Sequence, residues 1–216
     1  MTESKFRSLF LRTAFVAVAS MVAATAFAQS ELREGYNYTV VKPAQATSAP
    51  AGKTEVIEFF GYWCPHCNDF EPVMLDWAKR NEAKAAVIYV PIPLGFQAGN
   101  SGLQKLYYTL DTLGKEKELR RKVFSSIHVD RSLPPSPDVG TMADWAARNG
   151  IDKKTFIDTL NSFTVQTKVN RANQIAAAYG VTGVPTLAIG GKYLLTIDAK
   201  SIGNADVMLA RVAAGK

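Results

Sequence analysis

Cysteine and histidine are nearly absent. The 216 residues hold two of each: Cys64 and Cys67, His66 and His128. That scarcity removes whole classes of chemistry. A structural zinc site takes four ligands, commonly two cysteine pairs or one cysteine pair with a spaced histidine pair, and here a single pair stands alone. A scaffold built on disulfides needs several bridges. A structural bridge also stabilises most when it closes a long loop, and this pair could close only a small ring. Charge of one sign is also sparse. The 25 basic and 19 acidic residues leave a formal +6, and no Lys/Arg run interleaves with aromatics, so no nucleic-acid partner is expected. The five methionines are scattered, which disfavours a copper carrier built on soft sulfur ligands.

Long apolar runs are missing beyond the first 28 residues. At the start, Lys5, Arg7 and Arg12 precede an uncharged, alanine-rich stretch from Thr13 to Ala28 that ends in Ala26-Phe27-Ala28. A basic start, a short apolar run and small residues at its end predict a secretory signal cut after Ala28. The alternative is a retained membrane anchor, but the run is short and poor in leucine for a span of about 20 apolar residues. The chain beyond Ala28 is large enough for a sizeable core in one or two domains.

The chain is organised around Glu55-Val56-Ile57-Glu58-Phe59-Phe60-Gly61-Tyr62-Trp63-Cys64-Pro65-His66-Cys67. An apolar run of strand character leads straight into both cysteines. Phe70, Val73, Met74 and Trp77 then keep helical spacing. The cysteines thus fall where a strand gives way to a helix N-terminus. Free backbone N–H groups and the positive end of the helix dipole favour an anion there. A thiol so placed ionises more readily, and the thiolate is the form that attacks disulfides. Pro65 suits the first helical turn, having no N–H to leave unpaired. The pattern reads as a redox dithiol, with a structural bridge or a metal site as the plainer alternatives.

Elsewhere the sequence alternates strand and helix signals. Tyr36–Val41 has strand composition, and 42–53 is a Pro/Ala/Gly-rich connector. Ala85–Pro91 reads as a second buried strand, closing a strand–helix–strand unit with a parallel pair. Pro72 lies inside the intervening helix pattern and predicts a kink. Residues from about 98 to 163 carry only helical patterns, at 101–114, 118–127, 141–149 and 152–162, broken by a loop with Pro134, Pro135 and Pro137. A helix over 165–179 stopped by Gly180, a hairpin of 181–189 and 192–196 turned at Gly190-Gly191, and a last helix over 204–213 complete the chain.

This layout looks like a thioredoxin fold with an inserted all-helical domain, an α/β architecture with residues 29–97 and 164–216 forming the thioredoxin-like part and 98–163 the insert. Glu58-Phe59-Phe60 leading to Cys64-Pro65-His66-Cys67, then Phe70-Glu71, and Gly183-Val184-Pro185 before a strand, resemble the DsbA-type thiol:disulfide oxidases of the bacterial periplasm. The resemblance implies that Cys64 is the exposed, attacked sulfur and Cys67 its buried resolving partner. Pro65 and His66 would tune the pair, His66 by stabilising the Cys64 thiolate. It also implies that Pro185 is a cis-proline, with Val184 offering backbone bonds to an extended substrate. Glu58 would lie beneath the dithiol and relay a proton for Cys67, its alternative being a strand-edge carboxylate in solvent. Glu71 matches a family acid that could equally be solvated on a helix surface. Related proteins pair the buried acid with a lysine on the next strand, and Val87-Ile88-Tyr89-Val90 holds none. His128 reads as an exposed loop residue without a role.

The function implied is an exported oxidase that passes its Cys64–Cys67 disulfide to folding secreted proteins, needs no bound cofactor or metal, acts as a monomer, and is reoxidised by a quinone-linked, DsbB-like inner-membrane protein. A disulfide isomerase or reductase is the near alternative. Exported isomerases of this fold add an N-terminal dimerisation domain, for which the roughly 25 residues after Gln29 are too few, and thioredoxin-like reductants favour Gly-Pro where this chain has Pro-His. A non-catalytic peptide-holding or copper-binding protein is the reading from a different class.

Overall fold

β2 (Thr54–Phe60) is the strand on which the sheet is built, and its sequence shows why. From Glu55 to Phe60 every residue is buried, as a strand paired on both edges and covered on both faces requires. The computed structural model describes residues 32–215; the expected signal segment lies outside the described residues. β2 pairs in parallel with β3 (Ala85–Pro91) on one side and antiparallel with β4 (Thr186–Ile189) on the other. β4 continues antiparallel to β5 (Tyr193–Thr196), and the two-residue β1 (Thr39–Val40) closes that edge, giving the order β1-β5-β4-β2-β3. The register sets Glu58 opposite Tyr89 and Leu187.

Helix α1 (Pro65–Arg80) follows β2 and carries Pro72 within one continuous helix. Helices α2 (Gly102–Thr112), α3 (Glu116–His128), α4 (Val139–Arg148) and α5 (Lys153–Leu160) form the insert between β3 and α6 (Phe163–Tyr179). α7 (Gly203–Ala213) ends the fold. Asp138, Asp152 and Ser162 cap α4, α5 and α6 by accepting from the N–H groups of Thr141, Thr155 and Val165, donors that the first turn leaves without a partner. Gly180 stops α6 in the left-handed conformation (φ 65°, ψ 37°), as its sequence position predicts.

The core has three parts. Phe70, Met74 and Trp77 of α1 pack with Val56, Leu187, Leu195 and Met208 on one face of the sheet. Ile57, Phe59 and Val90 meet Ala172 and Tyr179 of α6 on the other. The third part joins the insert to the sheet's end: Leu106, Leu110, Phe124, Trp145 and Phe156 pack with Phe60, Tyr62 and both cysteines. The dithiol is thus part of the insert's own hydrophobic core. Trp145 Nε1 donates to Ser126 Oγ at 2.8 Å, so this large side chain is buried without an orphaned donor.

Two strands are shorter than their composition suggests. The first begins only at Thr39, because Gly35 (φ 78°) and Asn37, whose side chain accepts from the Arg33 N–H, fold the preceding residues into a turn. β4 begins at Thr186 because the Val181 N–H is used on the Ala176 carbonyl at the end of α6 and Pro185 has no N–H to give a ladder. At the hairpin, Gly191 (φ 72°) admits the connector: a Cβ there would lie 2.1 Å from the Gln45 carbonyl oxygen, while the Gln45 N–H donates to the Gly191 carbonyl at 2.8 Å. Among the described residues no helix is long and apolar enough to cross a membrane.

Candidate active site

Cys64 occupies the N-cap of α1 in extended conformation (φ −90°, ψ 119°), with Pro65 as the first helical residue. Its N–H donates to the Gly61 carbonyl at 3.0 Å, which folds the strand's end back so that the sulfur faces the segment before β4. There the Cys64 thiol lies 3.6 Å from the Val184 carbonyl oxygen, and the Val184–Pro185 bond is cis. Pro65 and His66 are exposed, Cys67 is fully buried, and both cysteines are free thiols. Cys64 is more covered than the resemblance implies, at 5 % exposed, because Trp63, Val184 and the end of the insert close around it.

The two sulfurs are driven in opposite directions. The Cys67 thiol donates to Cys64, the backbone N–H groups of Cys67 and His66 point at the same sulfur, and the His66 charge adds to them. Against some opposition from burial, they pull Cys64 from 9.0 down to about 6. Cys67 is pushed far up, by burial first, then by its bond to Cys64 and by the negative charges of Cys64 and Glu58. At neutral pH the front sulfur is a thiolate and the rear one holds a proton.

Tyr62 and Trp63, which precede the pair, are fixed by long-range bonds. Trp63 Nε1 donates to the Ile92 carbonyl at 3.0 Å, and its ring meets Phe96 edge-on at 6.3 Å. Gly61 leaves room for that ring, since a Cβ would sit 2.5 Å from Trp63 Nε1. His128 does not behave as an exposed loop residue. It ends α3, is half-buried, stacks on Phe124 and sets Nε2 2.8 Å from the Tyr62 carbonyl oxygen. Phe124 and His128 stand four apart on one helix face, a spacing that was visible in the sequence.

Behind the dithiol lies a cluster that sequence reasoning caught only in part. Glu58 and Glu71 are both completely buried, so neither the strand-edge reading of Glu58 nor the solvated reading of Glu71 holds. Arg120 of the insert joins them: its Nε donates to Glu71 Oε1 at 2.7 Å, its Nη1 to Glu116 Oε1 at 3.2 Å and its Nη2 to Glu58 Oε2 at 3.4 Å. The guanidinium lies over the Tyr89 ring at 3.8 Å and the Phe60 ring at 4.3 Å. One buried cation thus serves three carboxylates. Burial, with Glu71 and Glu116 adding to it against the pull of Arg120, raises Glu58 from 4.5 to about 8. Burial raises Glu116 too. The cation that the strand lacks comes from a helix 62 positions away in sequence. Arg120-Arg121-Lys122 looks like a solvated charge run. The available signal was that Glu116, Arg120, Val123 and Ile127 share the face that Leu119 marks as buried.

A dithiol at a helix N-terminus, opposed by a cis-proline turn and backed by a buried acid, on a sheet with a helical insert, defines a thioredoxin-fold redox protein. Comparison with known proteins narrows this. The sequence pattern of the DSBA-like thioredoxin domain matches residues 55–209. The chain is similar to the thiol:disulfide interchange protein DsbA of Bordetella parapertussis, 41 % identical over 183 residues that cover 84 % of this chain and 85 % of that one. It is 36 % identical to DsbA of Pseudomonas aeruginosa over 193 residues, 89 % of this chain and 88 % of its relative. The crystal structure of Pseudomonas aeruginosa DsbA superposes with a TM-score of 0.76 at 33 % identity, covering 87 % of this chain and 99 % of that one. That of the oxidoreductase DsbA from Xylella fastidiosa gives 0.78 at 27 %, covering 85 % and 98 %. The chain belongs to the DsbA family of thiol:disulfide oxidoreductases.

Proposed function

We propose that this chain is an exported oxidase that gives the Cys64–Cys67 disulfide to thiols of folding secreted proteins. The observation that carries the reading is the split between the sulfurs, Cys64 drawn down to about 6 and Cys67 pushed up. A stabilised thiolate lowers the energy of the reduced form, so the disulfide is the form that gives itself up.

In the oxidised protein a substrate thiolate attacks Cys64 Sγ. The Cys64–Cys67 bond breaks, its electron pair goes to Cys67 Sγ, and that sulfur takes a proton. A second substrate thiolate then attacks the substrate sulfur of the mixed disulfide and expels Cys64 as a thiolate, the better leaving group for its lowered pKa. Two electrons have passed to the protein. Val184, its carbonyl 3.6 Å from Cys64, and Pro185 form the edge against which an extended substrate lies. His66 stabilises the Cys64 thiolate, Pro65 opens the helix so that its N–H groups face the sulfur, and Glu58 supplies the proton to Cys67.

Further parts of the reading are a periplasmic location and reoxidation by a quinone-linked inner-membrane protein, which kinship with DsbA proteins supports, residues 98–163 as an inserted domain, which the run of helices between β3 and α6 supports, and action as a monomer. Equilibrating the purified protein against glutathione ratios tests the direction. A potential at the oxidising end supports the oxidase, and one near thioredoxin's overturns it in favour of a reductant.

A further inference from the structure

The acids behind the dithiol outnumber their cation, and each comes from a different element: Glu58 from β2, Glu71 from α1 and Glu116 from α3. Every nitrogen of the Arg120 guanidinium is committed to one of them. Cys67 from α1 and Tyr89 from β3 feel the charge of Glu58, and β4 presents Leu187 opposite it; Tyr62 from the turn before the dithiol and Tyr107 from α2 face Arg120 and Glu116, and Asp111 from α2 acts on Glu116. Arg120 is therefore the cation of the cluster. Glu58 Oε1 and Glu71 Oε2 are buried beyond its reach. The cluster is also one-sided. The leading influences on Cys64 come from Cys67, His66 and burial, whereas the charge of Glu58 is among those that act on Cys67.

We propose that Arg120 is a positioning residue for the rear half of the reaction: it sets how readily Glu58 gives its proton to the departing Cys67 and leaves the front sulfur untouched. The inference rests on the thiol–disulfide chemistry proposed above. When the substrate thiolate attacks Cys64, the electron pair that leaves the broken bond arrives at Cys67 Sγ, and the Glu58 carboxyl transfers its proton to that sulfur. The carboxylate left behind is held by Arg120 Nη2. Without the guanidinium a buried carboxylate has no counter-charge, so Glu58 keeps its proton and is a weaker donor. The lengths fit an adjustable partner. The bond to Glu58 is the longest of the three, at 3.4 Å against 2.7 Å to Glu71, so Arg120 is shared and its hold on Glu58 depends on what its neighbours take.

The sharing yields predictions of opposite sign. Single-turnover reduction of the oxidised full-length protein by a cysteine-containing peptide is followed from pH 5 to 10, with each rate divided by the peptide's thiolate concentration. In the parent protein the corrected rate falls as pH rises past about 8, where Glu58 loses its proton. Arg120→Met moves that fall upward by about one unit and lowers the plateau below it several-fold. Glu71→Gln removes a competitor for the guanidinium and a like charge, and moves the fall downward. Arg120→Lys restores a point charge without the three-way fork and lies between the parent and Arg120→Met. In all of them the alkylation midpoint of Cys64 in the reduced protein stays near 6. A merely structural role shifts Arg120→Met and Glu71→Gln the same way, or moves the Cys64 midpoint with them, and either result overturns the proposal, as does an unmoved fall in Arg120→Met. If Arg120→Met does not fold, the opposed shifts of Arg120→Lys and Glu71→Gln decide. The glutathione equilibrium is read separately, so a reducing potential would sink the oxidase reading while leaving the sign of these shifts to judge Arg120.

Discussion

Two regions meet at the dithiol and obey opposite rules. In front, Cys64 faces a backbone carbonyl and the head of a helix, and its charge is favoured by N–H groups and by a neighbouring histidine. Behind, Cys67 and Glu58 are buried where charge is costly and protons are retained. The two sulfurs belong to one helix turn, yet their surroundings separate them widely. The comparison teaches that the reactivity of this pair is built from asymmetry. In the mechanism proposed above, the front supplies a good nucleophile and leaving group, and the rear the proton that lets the ring open. Neither environment alone would make a disulfide that is given away readily.

The comparison breaks most completely at the front. Cys64→Ser is expected to abolish transfer of a disulfide to a reduced client protein, measured by loss of client thiols. A peptide holdase would keep its activity in that variant, so retained client binding without oxidation separates the two readings. Cys67→Ser should leave the front thiolate intact and remove the rear partner. Given a disulfide-bearing peptide, it is expected to accumulate mixed disulfides at Cys64, as the thiolate attacks one peptide sulfur and expels the other, seen on non-reducing gels as adducts that dithiothreitol releases, with no catalytic turnover.

A smaller effect sharpens the comparison through pH. The folded-state pKa of Cys64 lies below its ordinary value, so the reduced native state binds fewer protons than the unfolded chain between pH 6 and 9. Its contribution to stability is therefore absent below about pH 6, grows as pH rises, and is full above 9; at pH 7 it amounts to about 1 kcal/mol once solvent screening is allowed for. Glu58 works in the other direction. Its folded-state pKa lies above its ordinary one, so its contribution is full below pH 4.5 and is lost as pH climbs through about 8. The oxidised protein carries only the second of these effects. Urea midpoints of both forms, taken from pH 5 to 9, should show the reduced form gaining on the oxidised one as pH rises. A constant gap would mean that the front thiolate is not stabilised. Smallest is His66→Leu, which removes the weakest of the contributions to Cys64 and should raise its alkylation midpoint by less than about one unit, making the disulfide a weaker oxidant.

The front half was legible in the sequence and the rear half was not, for a physical reason. What lowers Cys64 is local: the partner thiol of Cys67, a helix start opened by a proline, and a histidine two residues on. Local patterns are what spacing encodes, and the sheet, the insert and the stop at Gly180 were read the same way. The burial of Glu58 was legible from its apolar neighbours. The cation of its cluster was not, because Arg120 meets Glu58 and Glu71 only after the insert docks, at separations of 62 and 49 residues. A charged residue beside two more cations gives no sign that one of them points inward. The choice left open for Glu71 has the same origin, since a carboxylate on a helix after the dithiol can be read as solvated until its partner is known.

The edge of the sheet at β5 bears on how such a protein stays soluble among its clients. β1 covers β5 with only two residues, but the chain continues the pairing past it: the Val41 N–H donates to the Lys192 carbonyl and the Gln45 N–H to the Gly191 carbonyl, each at 2.8 Å. Pro43, between them, has no N–H to offer outward. An unfolded polypeptide recruits open strand edges indiscriminately, and a catalyst that meets such chains all day is exposed to co-aggregation with them. By spending its connector on that edge, the fold leaves no long run of unpaired N–H groups along β5 for another chain to extend.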